Sequence, residues 1–424
     1  MHDVLPLPST LMGREQQMVG KTRAGSRAAR AERIDYFDGL RASLMLLGIP
    51  FHTALAFAGT QWLVTSPQLA PTVEAFGEFL HVWRMPAFYA VAGFFAALIL
   101  RRQGSGRWVK GRFKRLGIPL LFGMIVFSPL QWLLVGWGRS DAGVGASTFA
   151  LSKLWPPSEW WTMHLWFLVE LLIYCCVLAA VYASPLRGRA AHLLAALSAW
   201  VQRRPALGSA VLLVGASVSV VVSLAAWQVA NGDELLLGLI TRNVLVFAPA
   251  FVLGVALGAD PANLRAFLSA PYGVTLPVGL ASTAIVIVLD VVLQADSAAA
   301  LALQSVCWTI GGLTLASAAF RLSTRVFNKP RASVRWLVDA SLVVYIVHQP
   351  LIVLYSILVQ QAGVYSWAGW AVTVALTAVS ALVFYELVNT NLVTRTAFTG
   401  DHRRGMSFLN LVAPKRRATA RVPG

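Results

Sequence analysis

Ten long runs of apolar residues alternate with short polar or basic segments along the chain. Each run is long enough to cross a bilayer as an α-helix, which needs about 20 predominantly apolar residues. The runs lie near residues 38–60, 76–100, 114–137, 160–183, 206–230, 236–258, 272–294, 299–320, 335–360 and 367–390. Since no long polar insertion separates them, the pattern predicts a single all-α polytopic integral membrane protein with about ten transmembrane helices.

The composition excludes an ordinary soluble domain. Of the 424 residues, 57% are hydrophobic and 12% are charged, whereas soluble domains carry about 25% charged residues. All three cysteines lie in apolar runs, and Cys175 and Cys176 are adjacent. They form neither a disulfide framework nor a zinc site, and we interpret them as packing residues.

Positive charge is concentrated on one side of the predicted membrane domain. If the odd-numbered runs cross outward, the tails and loops of one side hold 30 of the 35 Lys and Arg residues. Basic loops stay in the cytoplasm, so both termini are predicted to be cytoplasmic. The net charge of +17 then belongs to a basic face against anionic lipid, and nucleic acid is not an expected partner. We divide the chain into a disordered basic tail at 1–33, a membrane domain at 34–392 and a basic cytoplasmic tail at 393–424.

Arg41 and His52 lie in the first apolar run, eleven residues apart. Eleven residues are about three helical turns, so both side chains project from one face, about 16 Å apart along the axis. Ionisable groups inside a membrane are costly and usually functional. The alternative is that Arg41 extends to the surface and His52 is satisfied by a neighbour.

The predicted orientation gathers polar residues into two layers. Four histidines and two arginines fall at a comparable depth in the outer half, where they are expected to line a hydrated cavity: His52, His81, His164, His348, Arg84 and Arg242. Near the cytoplasmic surface lie Asp38, Arg41, Asp339 and Glu386, while Glu170 lies deeper in the fourth run than His164. Histidine suits proton transfer and base activation of a hydroxyl, and arginine suits anionic groups. The alternative is pairwise satisfaction for packing. The spacings predict no metal site.

Several short motifs resemble those of membrane acyltransferase family 3. They are Arg41 and His52 within YFDGLRASLMLLGIPFH, the stretch RMPAFYAVAGFF in the second run, RFKRLGIP from Arg112, HLWFL from His164, SLVVYIVHQP from Ser341, and Glu386. In the second motif Ala92 replaces the usual Ser, so we assign that position no chemistry. The resemblance covers about residues 34–390 and is nearest to the branch that succinylates periplasmic glucans.

This resemblance implies a membrane-embedded O-acyltransferase of the bacterial inner membrane. The donor would be acyl-CoA, with succinyl favoured and acetyl possible, and the acceptor a hydroxyl of a periplasmic glucan or another envelope glycan. Acyl-CoA would be a co-substrate, with no permanently bound cofactor. We expect His52, Arg41 and His348 to be catalytic, with His52 either acting as the base or carrying the acyl group. Arg112, Lys114 and Arg115 would bind the donor. The residues that would support the cavity are Asp38, His81, Arg84, His164, Glu170, Arg242 and Glu386.

Two other functions remain open at the level of sequence. A polysaccharide or lipid-linked sugar transporter or flippase would use paired, Gly- or Pro-broken helices in two repeats, and the chain shows no convincing repeat. A membrane scaffold would leave the polar layers unexplained.

Overall fold

The computed structural model describes residues 36–139, 145–155, 158–229 and 243–409. The ten helices that follow the apolar runs are α1 Tyr36–Phe57, α2 Pro71–Gln103, α3 Ser105–Gly138, α4 Trp160–Ala183, α5 Pro205–Val229, α6 Leu245–Ala259, α7 Tyr272–Val292, α8 Ala298–Val326, α9 Ala332–Gln361 and α10 Ser366–Thr390. Shorter helices connect or follow them: Ala146–Ser152, Leu186–Arg203, Pro261–Leu268 and Leu392–Thr399.

The predicted all-α membrane architecture is confirmed. Within the described part of the chain, nine helices are long and apolar enough to cross a membrane. A tenth span is possible if α6 counts together with Pro261–Leu268, from which it is bent by 117°. Pro261 follows Asp260, whose side chain accepts a hydrogen bond from the Ala262 amide and so starts the short helix.

Helices α2 and α9 form the centre of the bundle. In each of them 72% of the most apolar stretch of 18 residues is buried inside the protein, against 28% in α5, α7, α8 and α10. Helix α2 packs against α1, α6 and α8, while α9 packs against α1, α3 and α10. The outer helices present exposed apolar side chains such as Ile125 and Val379, as lipid contact requires. The central parts of α2 and α9, which carry Arg84 and His348, are therefore enclosed by protein.

Two glycines of α6 allow it to approach the backbone of α2. A Cβ atom at Gly254 would lie 2.0 Å from the Ala90 carbonyl oxygen, and one at Gly258 would lie 2.5 Å from that of Phe94. Four-residue spacing places both glycines on one face of α6, the small-residue pattern by which membrane helices pack closely. This contact fixes α2 on one side of the bundle.

Prolines interrupt the hydrogen bonding of several helices. Pro50 in α1 lies just after a turn at Leu47, where the helical pattern is broken. Pro350 lies inside α9. Proline lacks an N–H group, so the carbonyl four residues earlier loses its helical partner. In α9 that carbonyl belongs to Ile346, and it borders the candidate site.

Candidate active site

His164 reaches the carbonyl group that Pro350 leaves free. Its Nε2 atom lies 3.0 Å from the Tyr345 oxygen and 3.1 Å from the Ile346 oxygen. A carbonyl oxygen only accepts hydrogen bonds, so this network assigns the ring proton to Nε2. The lone pair is therefore on Nδ1, which is buried and has no hydrogen-bond partner.

The backbone before His164 is strained. Met163 has a φ of 46°, in a left-handed region that disfavours residues with a side chain. It begins a 3₁₀ turn, Met163–Leu165, at the start of α4. The hydroxyl of Tyr345 donates to the His164 carbonyl. These constraints hold the imidazole against α9, as strained positions at functional sites often do.

Tyr345 also fixes the tautomer of His348. The Nδ1 atom of His348 lies 2.6 Å from the same Tyr345 carbonyl oxygen, so Nδ1 carries the proton and Nε2 holds the lone pair. His348 Nε2 is buried without a hydrogen-bond partner. The rings of His164 and His348 are nearly perpendicular, with centroids 5.0 Å apart. His348 thus offers a neutral nitrogen base inside the bundle.

His52 brings a third imidazole from α1. Its ring centroid is 5.3 Å from that of His348 and 6.2 Å from the Trp62 ring. His81 is joined less directly, because it stacks on Phe51 at 5.2 Å. The four intramembrane histidines predicted from sequence therefore converge, three of them in one cluster.

Arg84 is a buried cation beside this cluster. It is 8% exposed, and its guanidinium carbon lies 4.6 Å from the centre of the Phe51 ring. Within the described residues the ion pairs are Arg41–Asp38 and Arg115–Asp401, so no described carboxylate neutralises Arg84. Burying an unpaired charge is strongly unfavourable. A site that retains one is suited to an anion or to a developing negative charge.

Glycine 48 lies where the base and the cation meet. A Cβ atom on Gly48 would lie 3.2 Å from His348 Nε2 and 3.3 Å from a terminal nitrogen of Arg84. These groups come from three helices, α1, α2 and α9. Their arrangement is that of a base and a charge-stabilising donor around one small space.

The structure places Arg41 with the basic residues at the start of α3. Arg41 pairs with Asp38 at 3.3 Å. Arg112 stacks on Trp108 at 5.5 Å and is close enough to Arg41 and Arg115 to be repelled by their charges. We call Arg41, Arg112, Lys114 and Arg115 the basic patch. Three of its members lie in the first third of α3, in and next to the π-helical turn Phe113–Gly117, a distortion that is frequent at functional sites.

The comparisons with known proteins agree with these motifs. The Acyl_transf_3 family model, described as an acyltransferase domain, matches residues 34–386. The chain belongs to this acyltransferase family. The expectation drawn from the sequence motifs is thereby confirmed, and the protein is a membrane acyltransferase.

Curated relatives cover most of this acyltransferase. Glucans biosynthesis protein C of Salmonella paratyphi B (strain ATCC BAA-1250 / SPB7) is 26% identical over 372 residues, which are 84% of this chain and 92% of the relative. Glucans biosynthesis protein C of Salmonella gallinarum (strain 287/91 / NCTC 13346) is 27% identical over 360 residues, with the same coverage. No solved structure matches the acyltransferase.

Glu170 lies in an aromatic layer of the acyltransferase. It is fully buried and accepts a hydrogen bond from the Tyr89 hydroxyl, and the Asn243 side chain also bonds it. Tyr89 stacks on Phe247 at 4.7 Å. Glu170 is thus held by α2 and by Asn243, which lies two residues before α6.

Glu386 and Asp339 bind the segment that follows the last helices. Glu386 accepts hydrogen bonds from the Trp336 indole at 2.6 Å, the Ser407 hydroxyl at 2.7 Å and the Phe408 amide at 2.9 Å. Asp339 accepts one from the Met406 amide at 2.8 Å. Asp339 lies nine residues before His348, about 13.5 Å along α9. The structure therefore places these carboxylates apart from the imidazoles.

Asp401 ties this last segment to the basic patch. Its carboxylate lies 3.8 Å from Arg115. Burial alone would raise the pKa of Asp401, but the Arg403 amide and the charge of Arg115 bring it below its ordinary value. The pairing is therefore present at neutral pH and weakens as the pH falls through this lowered pKa.

Three further residues, Arg242, Gly48 and Tyr345, bear on the candidate site. Arg242 lies outside the described residues, so its place in the site stays a prediction. Gly48 and Tyr345 were not singled out, although both stand within the quoted motifs of α1 and α9. Neither residue signals chemistry in the sequence, since Gly48 acts through its missing side chain and Tyr345 chiefly through its carbonyl.

Among the described residues, no group of three or more His, Cys, Asp or Glu is arranged to hold a metal ion.

Proposed function

We propose that this acyltransferase moves an acyl group, succinyl in preference to acetyl, from cytoplasmic acyl-CoA to hydroxyls of a periplasmic glucan. The observation that carries the proposal is the unpartnered His348 nitrogen beside the unpaired Arg84 guanidinium. A base and a cation at one point suit attack of a hydroxyl on a carbonyl. The printed names of the relatives, glucans biosynthesis protein C, support a glucan as acceptor.

The separation of the basic patch from the imidazoles supports a long donor. Arg41 and His52 are eleven residues apart, about 16 Å along α1. Coenzyme A carries phosphates at one end and the acyl thioester at the end of an extended arm. Its phosphates would bind Arg41, Arg112, Lys114 and Arg115, and the arm would bring the thioester to the histidines.

The transfer itself needs one base and one stabilised oxyanion. An imidazole of the pair His52–His348 removes the hydroxyl proton while the oxygen attacks the acyl carbon. The carbonyl electron pair moves to oxygen, and the C–S bond then breaks. The departing thiolate takes the proton from the imidazolium, so an ester and a free thiol result. In the relay alternative, His52 carries the acyl group between these steps.

A succinyl donor carries a free carboxylate at the far end of its acyl chain, which requires a cation inside the membrane domain. Arg84 or Arg242 supplies it. Both would lie in the outer half under the predicted orientation, in an inner membrane with the glucan on the periplasmic side.

Replacement of His52 by alanine tests the proposed function. Periplasmic glucans are analysed by mass spectrometry in cells that lack the protein and carry the wild type, His52→Ala or His192→Ala. His192 is an exposed residue of the helix Leu186–Arg203, so it is a matched control. We expect acyl mass increments with the wild type and His192→Ala, and none with His52→Ala at equal membrane abundance.

Other outcomes contradict parts of the proposal. Equal substitution with His52→Ala would remove His52 from the chemistry. Unmodified glucans with the wild type would exclude this acceptor. Transport of glucan across the membrane that does not depend on acyl-CoA would favour the transporter alternative.

A further inference from the structure

Gly48 differs from the packing glycines of the bundle. A Cβ atom on Gly254 would collide with backbone atoms of a neighbouring helix, which is the mark of a glycine required for close helix packing. A Cβ atom on Gly48 would instead meet the polar ends of His348 and Arg84. Helix packing therefore does not account for glycine at position 48.

The backbone around Gly48 is held in place by contacts with other helices. The helical pattern of α1 breaks at Leu47 and resumes at Gly48, two residues before Pro50. The indole of Trp370 donates to the Pro50 carbonyl at 3.0 Å, which secures the interrupted helix to α10. Arg84 is held by the Phe51 ring of the same helix. The glycine and the arginine that faces it are thus both held by contacts of α1.

The groups around this space have defined chemical roles. His348 Nε2 presents a lone pair, because Nδ1 donates to the Tyr345 carbonyl. Arg84 presents only N–H donors, and its Nε atom is buried without a partner. The Cβ position that glycine leaves vacant is 3.2 Å from the base and 3.3 Å from the cation, so both groups face the same side of Gly48 and a substrate atom packed against that side would meet both. Reacting atoms in a productive complex lie about 3 Å from their base and donors.

We propose that the space over Gly48 binds the acyl carbonyl group, with its oxygen at Arg84 and the attacking hydroxyl at His348 Nε2. This inference rests on the proposed function and names the reacting point within it. His348 takes the hydroxyl proton, the new C–O bond forms, and the carbonyl electron pair becomes an oxyanion beside Arg84. When that pair re-forms the C=O bond, the C–S bond breaks and His348 protonates the thiolate.

Gly48→Ala is the direct test. The added methyl group would lie 3.2 Å from His348 and 3.3 Å from Arg84, and shifts of a few tenths of an ångström in these side chains would relieve the contact. We therefore expect the variant to fold and the acyl carbonyl group to be excluded. Gly77→Ala is the matched control, because its methyl group would lie 3.0 Å from the Ala54 Cβ, away from polar groups. Purified proteins in lipid vesicles receive succinyl-CoA and glucan, and thiol release and glucan mass are followed.

We expect kcat of Gly48→Ala to fall by about 100-fold or more, with thermal stability and CoA affinity like those of Gly77→Ala. Transfer by Gly48→Ala at the rate of Gly77→Ala would overturn the inference and leave the proposed function intact. If the wild type releases no thiol and modifies no glucan, the proposed function fails and the inference fails with it.

A second variant, Arg84→Met, tests the inference if Gly48→Ala does not fold. Arg84→Met keeps an unbranched apolar stem and removes the unpaired charge together with the guanidinium. Since that charge has no described carboxylate partner, its removal should leave the melting temperature equal or higher while kcat falls. Retained transfer by Arg84→Met would overturn the inference, and a purely structural arginine would instead lose stability on substitution.

Discussion

At the scale of single residues, one carbonyl oxygen sets the chemistry of two histidines. The Tyr345 carbonyl lies 2.6 Å from His348 Nδ1 and 3.0 Å from His164 Nε2. Each ring must therefore keep its other nitrogen free of a proton while it stays neutral. A base that is already in the required tautomer needs no rearrangement before it accepts a proton.

The two intramembrane arginines should respond differently to the choice of donor. If Arg84 binds the carbonyl oxygen, Arg84→Met should lower succinyl and acetyl transfer by the same factor, because both donors develop the same oxyanion. If Arg242 binds the distal carboxylate, Arg242→Met should lower succinyl transfer by about tenfold or more and spare acetyl transfer. Initial rates with both donors measure this. A selective loss of succinyl transfer in Arg84→Met would reverse the two assignments.

The convergence of the four histidines could be predicted from the sequence, and there are physical reasons why their contacts could not. His52, His81, His164 and His348 could be grouped because chemistry-bearing side chains are costly in a membrane and must face protein. Their contacts could not be predicted, because the rotation of one helix against another depends on packing. The part of Gly48 in the site could not be predicted, because an absent side chain gives no signal of chemistry.

At the scale of helices, the glycine contact between α6 and α2 positions the cation. Helix α2 carries Arg84, and α6 approaches it closely through Gly254 and Gly258 together with Gly93 of α2. The apolar runs predicted both helices but not this contact, since small residues are also frequent where no helix packs closely. The bend of 117° after α6 was likewise not predicted, although Pro261 stands at it.

Gly254→Val should destabilise the protein more than the same change at an open position. The valine would press on the Ala90 carbonyl and force α2 and α6 apart, at a cost of about 1–3 kcal/mol or more. Gly215→Val in α5 is the control, because nothing lies within 4 Å of a Cβ atom there. Melting temperatures in detergent compare the two. Equal melting temperatures of the two variants would show that α2 and α6 can move apart without loss of stability.

At the scale of the whole molecule, the basic patch and the histidine cluster lie at different levels of α1. The distribution of Lys and Arg predicts which level faces the cytoplasm. The basic patch would then meet a cytoplasmic donor, and the histidines would lie nearer the periplasmic acceptor. The orientation is thus part of the proposed function, since a reversed protein would separate both substrates from their residues.

Reporter fusions should establish this orientation. We expect green fluorescent protein fused after Gly424 to fluoresce, because it folds in the cytoplasm. Alkaline phosphatase fused in the loop that follows α3, near Gly145, should be active, because it requires the periplasm. The reciprocal fusions are the controls and should be inactive. Active phosphatase at the C-terminus would reverse the topology and contradict the positions assigned to donor and acceptor.

The carboxylates at the end of the bundle have a consequence for genetics. The family match ends at Glu386, yet the hydrogen-bond donors of Glu386 and Asp339 come in part from residues 406–408. A nonsense mutation between these points would leave every codon of the family match intact, yet Asp339 would lose the Met406 amide and Glu386 would keep only the Trp336 indole among these donors. Alleles of that kind would be scored as loss of the enzyme, although the lesion lies outside the recognised domain.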